Sequence, residues 1–187
     1  MFSKIIKEET KTAHQQVEAK IVRQIKAIKN EAEYADLLKG FYAFFSAVEA
    51  ETEPYISTEI LPDKLNRRNS TFIKKDIESL GFEIDNLPPA NAPKPNSVLE
   101  ALSSMYVLEG SIMGGPYIIQ MLKKAGIQRG FSFFEGYAEQ SQNMWNAFTS
   151  VLNQHANNHL NHTNAIEIAN KTFYNFADVF HNENIHL

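Results

Sequence analysis

Hydrophobic positions recur along this chain at steps of three, four and seven, the period of helices with one buried face. Over residues 3–28 the stripe is Ile6, Ala13, Val17, Ile21, Ile25 and Ile28, which predicts one long first helix. Asn30 is placed to cap a second helix, with Glu31 and Glu33 in the first turn, where the helix dipole favours acids. That helix carries Leu37, Leu38, Phe41, Phe44, Phe45 and Val48 and must end near Pro54. A shorter one is predicted over 70–80, stopped by Gly81. Four prolines between 83 and 96 mark a loop rather than a linker, because the helices on either side are too few for two cores. Ser97, with Glu100 three residues on, opens the next helix, which runs through a glycine cluster towards Lys124 and stops at Gly126. Two more are predicted over 133–154 and 162–182. Strand alternation and hairpin dipeptides are absent. The expected architecture is all-α: a single-domain bundle of about seven helices over residues 1–187.

Composition narrows the chemistry. With no cysteine, disulfides, thiolate metal sites, iron–sulfur clusters and cysteine nucleophiles are excluded. No apolar run approaches a membrane span, and the N-terminus has no apolar leader, so a soluble, cytoplasmic protein without a membrane partner is expected. A net charge of −4 argues against nucleic acid as a partner. Charge is unevenly spread: residues 1–30 carry +4, through Lys4, Lys7, Lys11, Lys20, Arg23, Lys26 and Lys29, and the remainder −8. This is either a solvated helix face or a patch for an anionic ligand or acidic partner.

Three of the eight glycines fall at Gly110, Gly114 and Gly115. Each glycine inside a helix costs about 1 kcal/mol relative to alanine, so such a cluster needs a reason. The plain explanations are a break between helices or a close helix contact. Because the apolar pattern resumes at once from Tyr117, with Pro116 suited to a restarting helix, a kinked helix stripped of side chains is expected. A flat ligand could approach such a backbone closely. No phosphate-binding glycine loop follows a strand, so no nucleotide site is expected. His14 lies beside the apolar stripe of the first helix, with Glu18 one turn later to orient its imidazole and Lys7 about 10 Å earlier along the axis. A lone histidine there is more often a core residue than a ligand. Still, a neutral nitrogen, a carboxylate and a cation at that reach suit a flat metal macrocycle with acidic side arms.

Together these residues resemble the heme oxygenase family, in its bacterial biliverdin-producing branch. Thr10-Lys11-Thr12-Ala13-His14 resembles the family's first-helix motif, and Tyr106-Val107-Leu108-Glu109-Gly110-Ser111-Ile112-Met113-Gly114-Gly115 its distal-helix signature. Residues 67–81, 134–148 and 172–180 resemble further helices. The resemblance implies that His14 binds heme iron through Nε2, with Glu18 supporting it. It implies that the backbone at Gly110, Ser111, Gly114 and Gly115 covers the other face with room for O2. The porphyrin itself is then oxidised at a meso carbon, giving biliverdin, CO and ferrous iron. Such chemistry needs no strong distal acid or base, and residues 110–115 supply none, so water held at the kink would deliver protons. Lys7 is the leading contact for the heme propionates, followed by Lys11 and Tyr106. Electrons would come from an external reductant, such as ferredoxin, flavodoxin or a reductase, with the basic patch as a docking surface in which Lys20 and Arg23 are the residues to reverse. The chain departs from the family at Pro116, where a basic residue is common, and over 136–142, which holds no Arg or Lys.

Three other readings stand beside this one. Thiaminase-like hydrolases resemble the architecture but use a cysteine, absent here. A heme carrier or sensor would keep the same ligand without turnover, and a helical interaction module would make the constellation a coincidence. His155, His159 and His162 are spaced for a metal, yet the asparagines around them point to a polar connection between helices.

Overall fold

The computed structural model describes residues 1–157 and 161–180, and among these there are nine α-helical segments and no strand. They are α1 (Phe2–Glu9), α2 (Lys11–Ala27), α3 (Glu31–Thr52), α4 (Ser70–Ser79), α5 (Val98–Gly110), α6 (Gly115–Lys124), α7 (Ser132–Glu135), α8 (Ser141–His155) and α9 (His162–Val179). A 3-10 turn, Ser111–Gly114, joins α5 to α6. Helix α5 is central, packing against α9, α8 and α3. Edge-to-face aromatic pairs tie the layers together. Phe41 of α3 meets Phe134 of α7 at 5.3 Å and Phe176 of α9 at 5.0 Å, and Phe45 meets Phe133 at 5.1 Å. No described helix is long and apolar enough to cross a membrane.

The capping residues behave as their types dictate. Asn30 accepts from the Glu33 amide at 2.9 Å, and the Glu33 carboxylate in turn accepts from the Lys29 amide at 2.7 Å. Ser97 accepts from the Glu100 amide at 3.2 Å, while the Glu100 carboxylate reaches back to the Asn96 amide at 2.9 Å. Each side-chain cap stabilises its helix by about 1 kcal/mol.

Two predicted helices are divided. The stretch over 3–28 breaks at Thr10, whose amide and hydroxyl both bond the Ile6 carbonyl, at 3.0 and 2.6 Å, with ψ near 1°. The axial spacing expected between Lys7 and His14 therefore crosses a bend. The stretch over 133–154 divides at Gly136, whose φ of +63° ends α7 before α8 begins. There an added Cβ would lie 2.7 Å from Ile112 Cγ2, so glycine is required by contact as well as by conformation.

Candidate functional site

His14 is exposed on α2, between the buried Ala13 and Val17. Its ring sits edge-on to Phe173 of α9, with centroids 5.4 Å apart, and makes no hydrogen bond within the described chain. Helix α2 packs against both α9 and α6, so the histidine-bearing helix and the kinked helix are neighbours. Glu18 is exposed one turn on and is not bonded to His14; Lys7 and Lys11 are exposed on the same stretch and make no ion pair among the described residues. Lys20 differs from these cations: its ammonium donates to the Ala177 carbonyl at 2.6 Å, capping the end of α9. It is committed to the fold and cannot serve as a free member of a docking patch.

The glycines divide the kink into two faces. A Cβ on Gly115 would lie 1.9 Å from the Phe134 carbonyl oxygen, so α6 crosses α7 at backbone contact. A Cβ on Gly114 would meet nothing within 4 Å, and one on Gly110 would reach only the Trp145 ring at 3.6 Å. The Ser111 hydroxyl faces the interior. It donates to the Leu108 carbonyl at 2.6 Å and accepts from Arg68 Nη2 at 2.7 Å, so its proton is already committed. Tyr106 is buried beside Trp145, ring centroids 5.3 Å apart, and burial pushes its phenol up to about 12, so it is a neutral donor at pH 7.

Behind the kink lies a charged network that the sequence reading did not find. Arg68 is enclosed; Nη1 donates to the Phe133 carbonyl at 2.8 Å, Nη2 also to the Leu108 carbonyl at 3.1 Å, and its guanidinium lies 4.0 Å over the Phe133 ring. Burial lowers the Arg68 guanidinium to about 10, still charged at pH 7. Arg67 grips Asp63 with Nε and Nη2 and reaches the buried Glu109 at 2.7 Å through Nη1. The Tyr137 hydroxyl lies 3.3 Å from both Glu109 oxygens and accepts from the Arg68 amide at 2.9 Å. Glu49 accepts from the Ser70 amide at 2.8 Å and from its hydroxyl. A cavity of about 310 Å³ between Glu49, Arg67, Arg68 and Glu109 leaves room for water beside these groups. A lone acid, Glu109, at the end of the apolar run of α5 was the available signal.

Burial raises the carboxyls of both Glu49 and Glu109, against the opposing pull of their hydrogen bonds and of the arginines. A carboxyl with a raised folded-state pKa binds its proton more tightly in the fold than in the unfolded chain. Its contribution to stability is therefore complete below the unfolded value of 4.5 and is lost as pH rises through the folded one. Glu49→Gln is expected to flatten this decline, checked by urea midpoints at about pH 5 and about pH 7.5. Equal slopes for variant and wild type would contradict the assignment.

The histidine-rich connection is structural where it is described. His162 bonds the Ala156 carbonyl at 2.7 Å and packs on Phe2, with centroids 4.5 Å apart, while His159 lies outside the described residues. Among the described residues, no group of three or more His, Asp or Glu side chains could hold a metal ion.

The described residues thus form an all-α protein in which an exposed imidazole on one helix lies beside a second helix kinked at glycine. The structure matches the NO- and CO-bound heme oxygenase of Neisseria meningitidis with a TM-score of 0.80 at 20% identity, covering 96% of this chain and 90% of that one. A heme oxygenase of Xanthomonas campestris pv. campestris (strain 8004) is 27% identical over 145 residues, covering 76% of this chain and 86% of the relative. The heme oxygenase family model matches residues 1–182, and the chain belongs to that family, a family of enzymes that cleave heme.

Proposed function

We propose that this chain oxidatively cleaves heme to biliverdin, CO and ferrous iron, with O2 and an external electron donor, and with His14 as the proximal iron ligand. The observation that carries the assignment is the exposed His14 imidazole, free of internal hydrogen bonds, on a helix packed beside the glycine kink. The residues present fit heme: an exposed imidazole for iron, cations on the same stretch for carboxylate side arms, and a glycine-lined helix segment for a flat ring.

Heme, as substrate, supplies the redox iron and the oxidisable meso carbons. The chain binds, orients and encloses it. His14 anchors it through Nε2, and Glu18 is spaced to accept a hydrogen bond from Nδ1–H once the ring is fixed. Lys7 and Lys11 offer ammonium groups to the propionates, and Tyr106 a neutral hydroxyl. Gly110 and Gly114 keep the opposite face clear for O2. Gly115 locks the kink on α7, and Ser111 closes the turn on the Arg68 side. With Ser111 committed, protons for the reaction come from water at the kink. The donor is a ferredoxin, flavodoxin or reductase meeting the basic stretch without Lys20, and the reaction belongs to the cytoplasm.

Hemin titration is expected to give a saturable Soret band, and His14→Ala to weaken binding about tenfold or more. Ascorbate, or ferredoxin with its reductase, should then bleach the wild-type band in air as biliverdin's broad red absorbance grows. Absence of a saturable band overturns the proposal. A Soret band that persists under reductant overturns turnover and leaves a heme carrier.

A further inference from the structure

A helical backbone leaves a side chain two common settings of its first torsion, and the second torsion of histidine is broad. Helix α2 therefore places the His14 imidazole without fixing the plane of its ring. Among the described residues the ring contact it makes is with Phe173 of α9, edge-on, with centroids 5.4 Å apart and 61° between the planes. Phe173 is held from the inside. It is buried beside Thr172, whose hydroxyl lies 3.3 Å from that of Ser104 on α5, and one turn before Phe176, which stacks on Phe44 at 4.8 Å. Two hydrogen bonds bracket the pair. On one side Asn170 Nδ2 donates at 3.3 Å to the Glu9 carbonyl, an acceptor at the end of α1 with no partner in its own helix. On the other, Lys20 donates to the Ala177 carbonyl at 2.6 Å. Contacts run in step, through Glu9, His14 and Lys20 on one side and Asn170, Phe173 and Ala177 on the other. The two helices cannot slide past each other without stretching both bonds.

We infer that Phe173 is a positioning residue for the proximal ligand: its ring sets the plane of the His14 imidazole, and the Asn170 and Lys20 bonds keep it at that setting. This inference rests on the proposed role of His14 in holding heme iron. An edge-to-face aromatic pair favours its own arrangement by about two- to tenfold over one without the contact. With His14 exposed, the pair does little for the core; what it does is select a ring plane. Two effects on heme follow. A ring already held in its bound setting spares binding the entropy of freezing a rotor, which raises affinity. The plane of an imidazole bonded through Nε2 also decides which pyrrole directions it overlaps, and so how the four quarters of the macrocycle differ electronically. Lys20, which reads as a docking cation, thereby acts on the iron ligand six residues earlier on its own helix.

The test reads the full chain first without heme, by proton NMR of the His14 ring, and then with hemin as the cyanide-bound ferric complex. Nuclear Overhauser contacts between the His14 and Phe173 rings are expected in wild type. Phe173→Leu keeps an apolar side chain but offers no ring edge. It should move the His14 ring signals while those of Ala13 and Val17 stay in place. It should also change the spread of the four heme-methyl shifts, which follows the imidazole plane, and weaken hemin binding roughly threefold. Lys20→Met, outside the core, should produce the same changes in smaller measure, and Lys20→Arg, which keeps a donor, should retain the wild-type shifts. If Phe173→Leu does not fold, the two Lys20 variants decide alone. Wild-type His14 signals and methyl shifts in the folded Phe173→Leu variant, or in Lys20→Met where it decides alone, would overturn the inference. Failure of wild type to bind hemin would overturn the heme reading, while the heme-free ring signals still decide whether Phe173 orients His14.

Discussion

Alanine at Gly115 is expected to cost the fold about 3 kcal/mol, roughly a hundredfold in the folding constant, while alanine at Gly114 leaves stability unchanged or raised. The two positions are adjacent in sequence and opposite in circumstance. At Gly115 the new methyl carbon would stand 1.9 Å from the Phe134 carbonyl oxygen and 3.0 Å from its carbonyl carbon. Both are backbone atoms, so no rotamer change relieves the overlap; α6 and α7 must move apart. That movement would also disturb the close approach of Gly136, at the end of α7, to Ile112 in the turn before α6. At Gly114 the methyl meets nothing within 4 Å, and the backbone (φ −84°, ψ −15°) is one alanine adopts readily. Removing a helical glycine there gains up to about 1 kcal/mol. The same methyl, however, would project into the open space beside the kink. In the heme reading, Gly114→Ala should therefore lower kcat/KM by about tenfold or more while the protein remains folded. Urea midpoints and turnover measured on both variants separate the two roles. A fully active Gly114→Ala, or a Gly115→Ala as stable as wild type, would refute this division of the kink.

How much of this was legible in the sequence follows from where the information sits. Caps and stops are local, so Asn30, Ser97, Gly81 and Gly126 mark their helix ends correctly. The glycine cluster announced a kink because glycine is costly wherever a helix is regular. The break at Thr10 was hidden because its cause, a hydroxyl folding back on the Ile6 carbonyl, leaves the apolar stripe in phase. The break at Gly136 was hidden because Phe133, Phe134 and Phe148 all suit one helical face, yet belong to two segments separated by a positive φ. Of the site, the single-residue features were visible: His14 and the glycines. The charged support was not. Arg67, Arg68 and Asp63 lie where no apolar period marks a residue as buried, and only tertiary packing brings them together with Glu109 behind the kink. Lys20 shows the converse: a side chain that reads as part of a basic surface is in fact bound to α9, 157 residues away in sequence.

Arg68 is where fold and site meet, and its loss is expected to be as damaging as the clash at Gly115. One guanidinium holds the Phe133 carbonyl of α7, the Leu108 carbonyl of α5 and the Ser111 hydroxyl at the first residue of the kink. Arg68→Met keeps much of the volume and the stacking on Phe133 but removes every donor. The Phe133 carbonyl then loses this partner in a buried position, and Glu109 loses one of the two arginines that offset its burial. Hydrogen bonds from a charged donor are worth about 1.5–3 kcal/mol, and breaking a buried charge cluster from one side costs about 3–5 kcal/mol. A loss of about 3 kcal/mol in urea unfolding is the expected result. Lysine tests what the guanidinium adds beyond charge. An ammonium keeps the positive charge that helps offset the buried Glu109 but cannot present a planar fork to three acceptors. Arg68→Lys should recover part of the stability while leaving the turn at Ser111 under-held. In the heme reading it would then show lower turnover than its stability alone accounts for. If Arg68→Lys instead matches wild type in both stability and turnover, charge alone suffices at this position and the fork has no part in setting the kink.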